Sequence, residues 1–261
     1  GCGTDTGKRA LSAADIVYCY DGSLEGFLCC VFESFAHREL PFAVWPPARE
    51  QATFYPVRDI PTDAAHAERV LTAYCRLLGG EGRRLLLTAF LSGEPDKELI
   101  LLRFVHLAFA EGPRALALLG HADVAPVYAL SKAIGREVEK LMGFIRFEEA
   151  DGVLGAVIHP KNHVLPLLRG HFCARFPEER FLIYDASHLE ALWYTPHKAE
   201  LLRLDAPLQL PDASEKESYY QALWKQFYRT LAIDERHNEV QRRTLCPKRY
   251  WADMTELREE L

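Results

Sequence analysis

The hydrophobic pattern of this chain changes period at Phe144, and that change is what most restricts the fold. Upstream, apolar residues recur at helical spacing. Leu24, Phe27, Leu28, Val31, Phe32 and Phe35 mark one amphipathic helix that ends near His37 and Arg38. A short strand over 16–20 leads into it through the turn Asp21-Gly22-Ser23, where Ser23 can cap the helix. Residues 41–56, rich in Pro and aromatics, read as loop with short extended pieces. A second helix starts at Thr62-Asp63 and closes at Gly79-Gly80; 84–91, 97–110 and 123–142 read as further helices.

Downstream of Phe144 the signals are those of strands. Segments 144–148 and 153–159 are joined by Asp151-Gly152, a hairpin turn signal. Residues 163–176 read as a helix, with Pro166 tolerated in the first turn. Strands follow over 181–185, 189–195 and 200–204, then a long helix over 215–231 with Tyr219, Leu223, Phe227 and Leu231 on one stripe. This order predicts an α+β fold. A central antiparallel sheet of ββαβββ type, over 144–204, is expected between helical N- and C-terminal flanks. Residues 1–14 are expected to form a loose or extraneous tail. Residues 15–261 are expected to form a single domain: a mainly helical part (15–143), a sheet part (144–205), and a helix with a basic tail (206–261).

The length of 261 residues and 49% hydrophobic content allow a sizeable core. A net charge of −6 argues against a protein that coats nucleic acid with its whole surface; any such binding needs cations gathered on one face. The seven cysteines are odd in number and form no CxxC pair, which fits a reducing, cytoplasmic setting rather than a disulfide framework. No apolar run reaches the roughly 18 residues that span a bilayer, so no membrane association is expected.

Three clusters carry candidate chemistry. Between Arg236 and Trp251 lie Arg236, Arg242, Arg243, Lys248 and Arg249 against one acid, Glu239, with Tyr250 and Trp251 beside them. Guanidinium forks suit phosphate oxygens and aromatic rings stack on unpaired bases, the combination needed for a single strand or an extruded base. The bland alternative is a solvated basic segment whose aromatics dock it on the body. Arg136, Lys140 and Arg146 form a second group, but Glu137, Glu139, Glu148 and Glu149 are interspersed, so that ordinary surface ion pairs explain it better than a binding site does. The third runs from His159-Pro-Lys-Asn-His163 to His171 and Arg175. Asn162, His163, His171 and Arg175 suit a phosphate or base-edge pocket; helix capping by Asn162 and structural histidines are the alternative. His171, His163 and Asp185, with Asp21, are the candidate acid–base groups. The spacings match no zinc pattern, and neither a metal nor a cofactor is expected. GxSxG, the zinc-deaminase motif and a CxxxCxxC cluster are all absent.

Several of these segments together resemble a bacterial family of uncharacterised proteins assigned to DNA metabolism or repair. They are Tyr20-Asp-Gly-Ser-Leu-Glu-Gly26, Gly135-Arg-Glu137, Gly143-Phe-Ile-Arg-Phe147, Asn162-His-Val-Leu-Pro-Leu-Leu168, His171-Phe172 and Arg175-Phe-Pro177. Ile183-Tyr-Asp185, Leu223-Trp224, Glu235-Arg236 with Asn238 and Gln241, and Pro247-Lys-Arg-Tyr-Trp251 complete the set. Members of that family stand beside a radical S-adenosylmethionine protein, and a related region precedes a uracil-DNA-glycosylase-like domain in a fused protein. The resemblance implies a DNA repair or modification accessory protein that binds nucleic acid and works with the radical S-adenosylmethionine partner. An enzyme acting on a damaged base or nucleotide, and a protein–protein adaptor, are the alternatives. Cys246 departs from the family's usual Met before that Pro, which speaks against a catalytic thiol there.

Overall fold

The computed structural model describes residues 12–49, 51–212, 216–237 and 250. Lys248, Arg249, Trp251 and the side chain of Arg236 lie outside the described residues, as do residues 1–11. The chain divides into two compact units, one of residues 1–82 and 98–124, the other of 83–97 and 125–261. Among the described residues no helix is long and apolar enough to cross a membrane.

The first unit holds a three-stranded, all-parallel sheet of order β2-β1-β3, from β1 (Ser12–Cys19), β2 (Glu39–Trp45) and β3 (Val57–Asp59). Helix α1 (Leu24–His37) crosses from β1 to β2, capped by Ser23, whose Oγ accepts from the Gly26 N–H at 3.0 Å. Residues 41–56, expected to be loop with short extended pieces, hold most of β2, and β3 follows directly after them. Pro41 hides the strand signal; it is tolerated because β2 is, among the described residues, an edge strand. β1 also begins at Ser12 rather than after residue 14. Helix α2 (Ala64–Phe90) breaks at Gly79, whose φ of 67° ends its first half where the Gly79-Gly80 signal predicts, and its second half enters the other unit. Helix α3 (Lys97–Glu111) follows.

In the second unit α4 (Ala125–Phe144) precedes a five-stranded sheet of order β4-β5-β6-β7-β8. Its strands are β4 (Glu148–Ala150), β5 (Val153–Ile158), β6 (Phe181–Asp185), β7 (Glu190–Thr195) and β8 (Lys198–Arg203). The α+β class stands, but the sheet is mixed rather than antiparallel: β5 and β6 run parallel. The reason is connectivity. Helix α5 (Leu165–Arg175) spans the gap between adjacent strands, and a crossover of that length returns the chain in the same direction.

The β4–β5 hairpin turns at Asp151 and Gly152, with φ of 52° and 72°, the pair of positive values that a two-residue hairpin loop requires. Helix α6 (Lys216–His237) lays Leu223 and Phe227 against Val153, Leu182, Tyr184 and Trp193. On the opposite face, the rings of Phe147 and Phe176 meet Phe181, which stacks on Tyr194, and Phe172 meets Phe147. Covered on both sides, β6 is buried at every residue and reads as a continuous run rather than an alternating one.

Candidate functional site

Parallel strands β5 and β6 end side by side, and the buried Asn162 and Asp185 lie at or just beyond their carboxyl ends. Ligands bind at such a place in open α/β sheets. The loop after β5, residues 159–163, is fastened on three sides. Both oxygens of Glu137, from α4, accept backbone N–H groups: Lys161 at 2.7 Å and Asn162 at 3.0 Å. The Asn162 amide donates to Glu137 at 2.7 Å, and its oxygen accepts from the Gly93 N–H at 2.9 Å. The His163 N–H donates to Leu91 O at 2.9 Å. Asn162 thus serves as a loop anchor and not as a helix cap; α5 is preceded by Val164, with no side-chain cap.

The turn between β6 and β7 is built on Asp185. It is fully buried; one oxygen accepts the Ser187 and His188 N–H groups at 2.9 and 3.1 Å, and the other meets His188 Nδ1 at 2.7 Å. Glu190, opposite Asp185 in the antiparallel register, places both carboxylate oxygens 3.2 Å from His163 Nδ1. The two imidazoles pack on each other with ring centroids 4.0 Å apart. Two histidine–carboxylate pairs, Asp185–His188 and Glu190–His163, therefore meet through their rings, which are tilted 34° to each other.

Their electrostatics differ. Burial pulls the His163 pKa down, and the nearby charges of Lys97 and His188 pull the same way; Glu190 opposes them without reversing the shift. For His188, burial also works downward, but the hydrogen bond and charge of Asp185 outweigh it and the pKa is raised. Burial works to raise Glu190, and the bond to His163 outweighs it, so the carboxylate is favoured. Near neutral pH the outcome is a neutral His163 against an anionic Glu190. Lys97, 6% exposed, donates to Phe90 O at 2.6 Å and lies 4.5 Å from the Phe90 ring centre.

Of the residues singled out from sequence, Asn162, His163 and Asp185 meet here. His171 lies further along α5, roughly 9 Å past its first residue at the rise of an α-helix, with its ring edge-on to Phe172. Arg175 is exposed in the last turn of α5, where a cation suits the helix dipole, and lies over Phe176. Arg136 and Arg146 are exposed, and neither forms an ion pair among the described residues. The interspersed glutamates do not tie them up; Glu137 instead holds the 159–163 loop. Tyr250 is 4% exposed, with the Arg83 guanidinium 5.7 Å from its ring centre, so that ring is already covered and is not an open stacking platform.

Glu190, His188 and Lys97 were not visible as site residues. The one local signal was Asp185-Ala-Ser-His188, a carboxylate three residues before a histidine at a strand end. Among the described residues no group of three or more His, Cys, Asp or Glu is arranged to hold a metal. Burial raises the thiols of Cys29, Cys30 and Cys173, away from thiolate chemistry.

A family profile described as a domain of unknown function, DUF4130, matches residues 95–256, more than half of the chain. The chain belongs to the DUF4130 family. The DUF4130 match takes in both histidine–carboxylate pairs, with Lys97, Glu137 and Asn162. A search of curated proteins finds no match.

Proposed function

We propose that this DUF4130 protein handles nucleic acid in DNA repair or modification, beside a radical S-adenosylmethionine partner, and that the histidine–carboxylate cluster is where it engages its substrate. One observation carries this: His163, backed by Glu190, sits beyond the carboxyl ends of two parallel strands with a ring edge left unbonded. The exposed Arg136, Arg146 and Arg175 supply phosphate-binding charge on an otherwise anionic chain. Fluorescence anisotropy with single- and double-stranded oligonucleotides, with and without the partner, tests it. Binding should weaken by at least about tenfold between low and physiological salt, as counterion release requires. No salt-sensitive binding under either condition refutes the proposal.

The chain acting as an enzyme in its own right is favoured by the same pair of dyads, since a carboxylate-oriented imidazole is a general acid–base group. Turnover of modified nucleosides in the absence of any partner distinguishes this function from an accessory one.

A further inference from the structure

The two packed histidines differ in what holds their rings. His188 gives Nδ1 to the buried Asp185, which also accepts its backbone N–H and raises its pKa. His163 commits Nδ1 to Glu190, while Nε2 has no hydrogen-bond partner among the described residues and the side chain keeps 16% of its surface open. A carboxylate that accepts at Nδ1 requires the proton to be there, which leaves the lone pair on Nε2. The Nδ1–carboxylate distances of 3.2 Å are on the long side, as is common before a substrate is bound. The charges of the cluster are close to balance: Glu94, Glu137, Asp185 and Glu190 stand against Lys97, Lys161, Arg203 and a His188 whose pKa is raised. Such a surrounding has no excess of cations to hold a doubly charged phosphate monoester and suits an uncharged reacting centre.

We infer that His163 Nε2 is a general base that activates water for hydrolysis of a carbon–nitrogen bond at an uncharged centre of a nucleotide's base, with Glu190 fixing its tautomer. Asp185 and His188 are positioning residues: they hold the imidazole plane against which His163 packs. The step balances without a further reactant. Water gives a proton to Nε2 as its oxygen bonds to carbon; the carbon–nitrogen bond then breaks with its electron pair going to nitrogen, which takes the proton back from Nε2. The inference rests on the nucleic-acid proposal above for the class of substrate, but not for the role of His163.

The test separates the two. Treatment of the whole protein with diethyl pyrocarbonate at neutral pH, followed by peptide mapping, reads which imidazoles keep a reachable lone pair. His163 should react about tenfold faster than His188, because Asp185 favours the protonated, unreactive form of the His188 ring. The exposed His37, with 47% of its side chain open, is the internal standard. Nitrogen-15 NMR should find the His163 proton on Nδ1, and His188→Gln should move the pH profile of His163 reactivity while thermal melting confirms folding. Equal protection of the two histidines, or a His163 proton on Nε2, overturns the role of His163. In a second arm, wild type and His163→Gln are incubated with nucleosides and oligonucleotides carrying alkylated bases. Wild type should release ammonia or an amine, and the variant should lose about 100-fold or more of that rate. Release from neither overturns the hydrolytic inference. If His163 reacts as expected but no oligonucleotide binds, the nucleic-acid proposal fails and the base assignment survives.

Discussion

His106 shows what burial does to a single titratable residue of the first unit. It lies on α3 at 8% exposure, with Nε2 2.7 Å from Ser34 Oγ and the Phe35 ring 3.9 Å from its own. Ser34 Oγ donates to Glu39 O, so its lone pair accepts from Nε2–H and fixes a proton on that nitrogen. Burial lowers its pKa from 6.5 to about 4. A histidine depressed in the folded state stabilises fully above its unfolded pKa. That contribution falls as the pH drops from 6.5 towards 4, because the unfolded chain takes up the proton first. The loss should amount to about 3 kcal/mol across that window. Denaturant melts at neutral pH and near the bottom of the window, for wild type and His106→Gln, measure it. The variant should be less stable at neutral pH and lose less on acidification. An unchanged pH dependence would remove His106 as the cause. Residue chemistry also marks how far sequence could reach. His163 and Asp185 are legible because imidazole and carboxylate beside strand ends suggest acid–base work. Glu190 is not, since a glutamate at the start of a strand looks like surface until the hairpin register sets it opposite Asp185.

Elements whose signals are local could be read directly. The β6 strand matched residue for residue, and the Asp151-Gly152 turn and the Gly79 helix break fell where their glycines predict. Pairings were harder. No local pattern reveals that β5 and β6 are neighbours, or that Pro41 sits in an edge strand. Nor does any pattern show that segment 91–93 grips the loop carrying His163, and that grip has a consequence for stability. A Cβ on Gly93 would lie 2.0 Å from the Lys161 carbonyl oxygen, a backbone atom that cannot swing away. Gly93→Ala should therefore cost about 2–3 kcal/mol, the range for forced overpacking, and should loosen His163 as the loop lifts. Gly135, inside α4, has nothing within 4 Å of the same added atom. Gly135→Ala should instead gain about 0.5–1 kcal/mol, from the lower entropy of its unfolded chain. Paired urea melts give both signs, and a harmless Gly93→Ala would mean that the two segments separate easily.

For the whole molecule the governing fact is charge. At −6 overall, the protein meets a polyanion favourably only if cations are unpaired where contact occurs. In the second unit Arg136, Arg146 and Arg175 meet that condition, being exposed and outside the ion pairs of the described residues, whereas Lys161 spends its charge on Glu94. If all three arginines touch phosphates, replacing them with alanine removes three counterion-releasing contacts. The slope of log affinity against log salt should then shrink by about 2–3 on duplex DNA, at roughly 0.9 per contact. Since phosphate contacts carry no sequence information, affinity should fall alike for every oligonucleotide. His163→Gln is expected to behave differently: it leaves the salt slope intact and alters only what happens to the engaged base. Isothermal titrations of both variants over a salt series separate backbone attachment from base chemistry. A triple variant with an unaltered slope would mean that attachment uses other cations, and the assignment of these arginines would fall while the His163 site stood.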